Sequence, residues 1–172
     1  MENIKKGIVI LLIVFVVMFG VLFGMNSATQ DLIAGNVENW ALNEVRALNL
    51  FPAGTDFERV QAGGLPAGVT GVFRTKNNIG FIIYTSVSAY GPGPMTIATA
   101  IGTNGRIIDT RVLENSETPS FLKMVQNGQQ PQFKGKDVSL EGVDTVGGAT
   151  ITSEAFLASV RIAFDAFERV RR

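Results

Sequence analysis

From Gly7 to Met25 the chain reads GIVILLIVFVVMFGVLFGM, without one charged residue. As a helix these 19 residues reach about 29 Å, close to the roughly 30 Å of a bilayer's hydrocarbon core. A helix on the surface of a globular core keeps one polar face, and this run has none. A cleavable secretion signal is the competing reading. Its apolar region is usually shorter and ends at a small-x-small site, for which Met25-Asn26-Ser27-Ala28 is a weak match. The run predicts one transmembrane helix over residues 7–25, retained as an anchor.

The flanks set its direction. Lys5 and Lys6 precede the run, whereas residues 26–39 contain Asp31 and Glu38 and no Lys or Arg. Positive charge stays on the cytoplasmic side. Residues 1–6 are therefore expected in the cytoplasm, with the rest of the chain outside the cytoplasmic (inner) membrane. Of the 15 basic and 15 acidic residues only Lys5, Lys6 and Glu2 precede the span, so the outer part is nearly neutral. No basic surface of that kind draws in nucleic acid.

Composition then excludes whole chemistries. There is no cysteine and no histidine in the 172 residues. Thiolate catalysis, disulfides, cysteine-held iron–sulfur clusters, histidine-ligated haem and histidine acid–base chemistry are all ruled out. Redox work by such a chain needs an organic cofactor.

The outer part reads as a short helix, a group of strands and a long final helix. Asn36 can cap a helix to about Leu50, with Val37, Trp40, Ala41, Val45 and Leu48 on one face, stopped by Phe51-Pro52-Ala53-Gly54. Residues 26–60 are expected to form a helical connector packed on the domain, and 61–172 the domain itself. After the loop QAGGLPAG, strands are expected over Val69–Thr75, Phe81–Ser88, Pro94–Ile101 and Arg106–Leu113. Lys76-Asn77-Asn78 forms one turn, and Thr103-Asn104-Gly105 supplies a hairpin whose Asn-Gly favours positive φ. One or two helical turns fit Ser120–Gln126. From Ser153 to Val170, Phe156, Val160, Ala163, Phe164 and Phe167 share one helical face, which marks them as core. Strands followed by a helix predict an α+β domain with an antiparallel sheet and flanking helices.

Just before that last helix stands DTVGGATITS, residues 144–153. As a plain capped turn, Thr152 or Ser153 caps the helix, Glu154 sits in its first turn, and Gly147 and Gly148 supply tight backbone geometry. That accounts for one hydroxyl and leaves Thr150 without a role. As an anion site, the helix start offers free N–H groups to a phosphate, and Gly147, Gly148 and Ala149 let it come close.

Asp144-Thr145-Val146-Gly147-Gly148-Ala149-Thr150 resembles the flavinylation motif of FMN-binding domains. Such domains form the G subunit of Rnf electron-transport complexes and the related C subunit of sodium-translocating NADH:quinone oxidoreductases. Ser or Thr is commoner in the family where Gly147 stands here. The resemblance extends to Glu117-Thr118-Pro119, with Ser120 in place of a glycine. It also takes in the loop Tyr90-Gly91-Pro92-Gly93-Pro94, the hairpin Gly102–Gly105, and the single span before one outer domain. It implies FMN joined through its phosphate to Thr150. It also implies maturation by a separate, metal-dependent flavin transferase that draws on FAD and reads the segment from Asp144. An unassisted threonine is a poor nucleophile, which agrees with an external catalyst; as a turn residue, Asp144 alternatively bonds its own backbone.

The isoalloxazine ring needs a flat, partly apolar slot with polar groups at its edge. Tyr90, Gly91, Glu117, Thr118 and Pro119 are the candidates, with Thr152 and Ser153 completing the phosphate side. No ligand cluster surrounds Glu117, so no metal site is expected. What the resemblance implies is an electron-relaying subunit beside other membrane subunits of an Rnf-type complex, which couples ferredoxin/NAD electron transfer to ion translocation. An FMN carrier of another respiratory or extracellular chain remains open, as does a cofactor-free anchored adaptor in which GGAT merely caps a helix.

Overall fold

Runs rich in β-branched and aromatic residues pack well on a pleated surface, and here they form a five-stranded antiparallel sheet. The computed structural model describes residues 6, 8, 11–21, 39–52 and 55–171. The strands are β1 (Phe57–Arg59), β2 (Val69–Thr75), β3 (Gly80–Ser88), β4 (Pro94–Gly102) and β5 (Ile107–Glu114). Each pairs with its neighbour in sequence, in the order β1-β2-β3-β4-β5. The α+β class with an antiparallel sheet is borne out. β1, which the sequence reading placed in the connector, is too short to show any alternation.

The first compact unit, Met1–Ala41, is described for residues 6, 8, 11–21 and 39–41, all helical. Among the described residues no helix is long and apolar enough to cross a membrane. Residues 7, 9, 10 and 22–25 of the expected span, and the expected cap at Asn36, lie outside the described residues.

In the second unit, Leu42–Arg172, the long helix Thr150–Val170 packs against the sheet. Phe156, Val160, Ala163, Phe164 and Phe167 are all buried, as their spacing predicts. Phe167 meets Phe81 edge-on at 5.6 Å, and Phe156 stacks on Phe133 at 5.2 Å. A buried pair, Thr85 Oγ1 and Ser159 Oγ at 2.5 Å, ties this helix to β3. Phe57, Phe73, Ile82, Tyr84, Ala98 and Ala100 are buried on strands as well. Both faces of β3 are therefore covered, which explains why FIIYT reads as an unbroken run rather than an alternation. Val45 is buried in the preceding helical stretch, residues 39–47, whereas Trp40, expected on its buried face, is 66% exposed.

Gly80 shows how tightly that second face is closed. A Cβ there would lie 2.5 Å from the Ile101 carbonyl oxygen and 2.7 Å from the Phe51 ring. At the β4–β5 hairpin, Gly105 has φ +73° and Asn104 Oδ1 accepts the Arg106 N–H, so the Asn-Gly turn forms as expected.

Tyr84 carries a testable cost. Its hydroxyl is buried with no partner among the described residues. Burial first, then the charge of Glu44, pushes its ionisation well above the ordinary tyrosine range. Because the neutral form is the one the fold accepts, the domain keeps its full stability with respect to this ionisation below the unfolded tyrosine value of about 10 and loses stability as pH rises above it. Tyr84→Phe should stabilise the domain by about 1 kcal/mol at neutral pH, because the unpaired hydroxyl is gone. It should also flatten the alkaline fall in stability. Urea midpoints at neutral pH and above pH ~10 check both points.

Candidate functional site

Three segments meet at one end of the sheet. β3 and β4 pair Ser88 with Pro94, and the loop between them carries Tyr90 to Gly93. β5 ends at Glu114, opposite Thr96, and Asn115–Thr118 leads into the helix Pro119–Gly128. The third segment is the start of the long helix.

That helix begins at Thr150, three residues earlier than the hydroxyl pattern predicts, and its N-cap is Ala149 with no side-chain capping bond. Ala149 N–H closes a turn on the Val146 carbonyl at 3.1 Å, through Gly148 at φ +84°. Thr152 and Ser153 consequently sit inside the first turns instead of capping, and Glu154 falls beyond the first turn.

The helix start sorts its hydroxyls by environment. Ser153 is fully buried, and its Oγ accepts the Val146 N–H at 3.1 Å. Thr152 is 1% exposed and donates to Glu117 Oε2 at 2.6 Å. Thr145 is exposed in the loop before the turn. Thr150 is exposed and lines a cavity of about 250 Å³ with Tyr90, Phe121, Gly148, Ala149, Ile151 and Thr152. Tyr90 and Phe121 meet edge-on at 5.3 Å and make its aromatic wall.

Glu117 behaves differently from a ring-facing residue. It is buried, and its Oε1 accepts the Gly91 N–H at 2.5 Å while Oε2 takes the Thr152 hydroxyl. Both oxygens are thus engaged by the chain's own donors. Thr118 and Pro119 are exposed at the N-cap and first position of their helix, where proline's fixed φ is favourable. They stand outside the cavity lining. Gly91 supports the loop by closeness: a Cβ there would lie 2.2 Å from the Ser116 carbonyl oxygen. Asp144 is exposed, and its backbone N–H donates to Gln132 Oε1 at 2.8 Å. Among the described residues no cluster of acidic side chains is placed to hold a metal ion.

Phe121 and Ile151 also line the cavity, and no motif in the sequence marks them. Phe121's one sequence signal is its position, two residues after the Thr-Pro that opens a helix. A larger cavity of about 610 Å³ lies along Arg59–Val72, and none of the residues above lines it.

The two glycines of the turn make separate demands. Around Gly147 a Cβ would meet nothing within 4 Å, whereas Gly148's positive φ strains any other residue. Gly148→Ala should destabilise by about 1 kcal/mol, and Gly147→Ala should be neutral for folding. Thermal melts of the two variants make the comparison.

Residues 91–165 match the family model described as FMN-binding domain. The match takes in Gly91, Glu117, Phe121, Asp144 and the whole Gly147–Ser153 stretch, and begins one residue after Tyr90. It supports placing this segment in that family. No curated protein matches the chain.

Proposed function

We propose that the protein is a membrane-anchored electron carrier that holds FMN as a phosphoester on Thr150 and serves as a subunit of an Rnf-type complex. One observation carries the site. The exposed Thr150 hydroxyl stands at the first position of a long helix and lines a cavity walled by Tyr90 and Phe121. The residues fit the group. First-turn N–H groups have no intrahelical acceptor, and the positive end of the helix favours a phosphate, whose attachment at a helix start is itself stabilising. Gly148 keeps the approach bare, and the apolar wall suits an isoalloxazine ring.

Bound FMN supplies a carrier of one or two electrons; the chain binds and orients it. Tyr90 and Phe121 offer aromatic surface, while Thr152 and Ser153 are held back by Glu117 and Val146. A cavity this small lies below the roughly 300–1,000 Å³ that enclose a whole ligand. A group seated in it stays accessible to a redox partner.

Attachment forms the Thr150 Oγ–phosphorus bond of FMN and breaks the phosphoanhydride of FAD, releasing AMP and the hydroxyl proton. A separate flavin transferase, reading the exposed segment from Asp144, is assigned that step. The uncharged run behind Lys5 and Lys6 supports a single-pass anchor, with the domain outside the cytoplasmic membrane beside other membrane subunits.

The protein taken from its native membrane should carry the mass of one FMN, mapped to the peptide holding Thr150, and should co-purify with multi-span subunits. Protease added to intact spheroplasts should digest the domain. Protection until lysis would overturn the orientation, and an unmodified chain would overturn the flavin assignment.

A further inference from the structure

Glu117 is the one buried acidic side chain among the described residues. A carboxyl group in such a place is costly unless its oxygens are hydrogen-bonded, and its two partners come from opposite walls of the cavity. Gly91 N–H follows Tyr90 on one side; Thr152 Oγ1 lies two residues beyond Thr150 on the other. The group between them is rigid, and its own segment is held in place. Glu117 N–H donates to Asn115 Oδ1, and Gly91 lies so close to the Ser116 backbone that it has no room for a Cβ. The Glu117 side chain therefore fixes the separation between the Tyr90 loop and the helix start. It also occupies the hydroxyl of Thr152.

We propose that Glu117 is a positioning residue, clamping the Tyr90–Gly91 loop to the first turn of the long helix so that a flavin on Thr150 rests in one orientation. The flavin part rests on the reading of Thr150 given above. The clamp itself belongs to the chain and can be measured without FMN.

The test uses the full chain in membranes, produced with a flavin transferase, as wild type, Thr152→Ser, Thr152→Val and Glu117→Leu. Thr152→Ser keeps the hydroxyl and should match wild type in every readout. In Thr152→Val and Glu117→Leu the visible circular dichroism of the flavin should fall several-fold and its fluorescence should rise. The same substitutions in a Thr150→Ala background report on the unmodified protein. There, exchange of the Gly91 amide should accelerate about tenfold in Glu117→Leu, the loss expected from one hydrogen bond. Folded clamp variants that fail to take up FMN while Gly91 exchange accelerates also support the clamp, since Thr150 is then misplaced.

Unchanged dichroism and fluorescence in flavin-loaded, folded Thr152→Val would overturn the positioning role. So would unfolding of both disrupted variants, which would reduce Glu117 to a stability element. A wild-type protein lacking FMN would defeat the Thr150 reading instead, and the Gly91 exchange comparison would still decide the clamp.

Discussion

Thr150→Ala should give a folded protein with no covalent flavin. The threonine side chain is exposed and makes no capping bond, so its removal is expected to change stability by no more than about 0.5 kcal/mol. The chemical effect is complete, because the acceptor oxygen is gone and no nearby hydroxyl is placed to replace it. Thr152 is buried and donates to Glu117; Ser153 is buried and accepts from Val146. Intact mass should drop by one FMN, and in-gel flavin fluorescence should vanish while far-ultraviolet circular dichroism stays the same. Flavin persisting in this variant, mapped to Thr152, would sink the assignment. Thr150→Ser retains the oxygen and should retain the flavin.

Gly91→Ala is expected to cause the larger structural damage. The added Cβ would stand 2.2 Å from the Ser116 carbonyl oxygen, 2.5 Å from its carbonyl carbon and 3.0 Å from Glu117 N. All three atoms are backbone, so no side chain can swing aside. The loop must lift, taking with it the Gly91 N–H that donates to Glu117. Overpacking of this kind costs about 3 kcal/mol. For a domain of this size that corresponds to a melting point lower by roughly 10 °C. Flavin loading should fall with it, since Tyr90 moves with Gly91. A melting point within a degree or two of wild type would show that the loop and the Asn115–Glu117 segment are not in tight register.

Much of the fold is legible in the sequence. β2 falls where its strand-like run predicts, β3 and β4 each differ by one residue at one end, and β5 is shifted by one residue at both ends. The buried face of the last helix follows from its spacing. Other elements are decided by partners distant in sequence. β1 is three residues long and is defined by pairing Phe57 with Thr75 and Arg59 with Phe73. The 3₁₀ turn Gln130–Phe133 has no period long enough to detect. The start of the last helix was misplaced for an instructive reason. Thr152 and Ser153 are favourable capping residues, but one is drawn to Glu117, 35 residues away. The other bonds Val146, leaving Ala149 at the cap. For the site, the sequence led to Thr150 and Tyr90, which line one cavity, but the partners of Glu117 were not readable from it. Phe121 was hidden for the same reason, since only the packed loop shows which helical residue faces Tyr90.

The strict neighbour-to-neighbour order of the strands has a consequence for how the protein is made. Each strand finds its partner through a short connection, so pairing can proceed hairpin by hairpin as the chain emerges, amino end first. The long helix follows the strands in sequence, and until it docks the surface formed by Val72, Ile83 and Ile97 lacks the helix's share of its cover. Thr150 opens that helix. A nascent chain thus has no finished acceptor until the 21 residues of that helix have followed the strands, which places flavin attachment after the sheet has formed. Ribosome-stalled chains ending before Val160 should remain unmodified even with the transferase and FAD in excess.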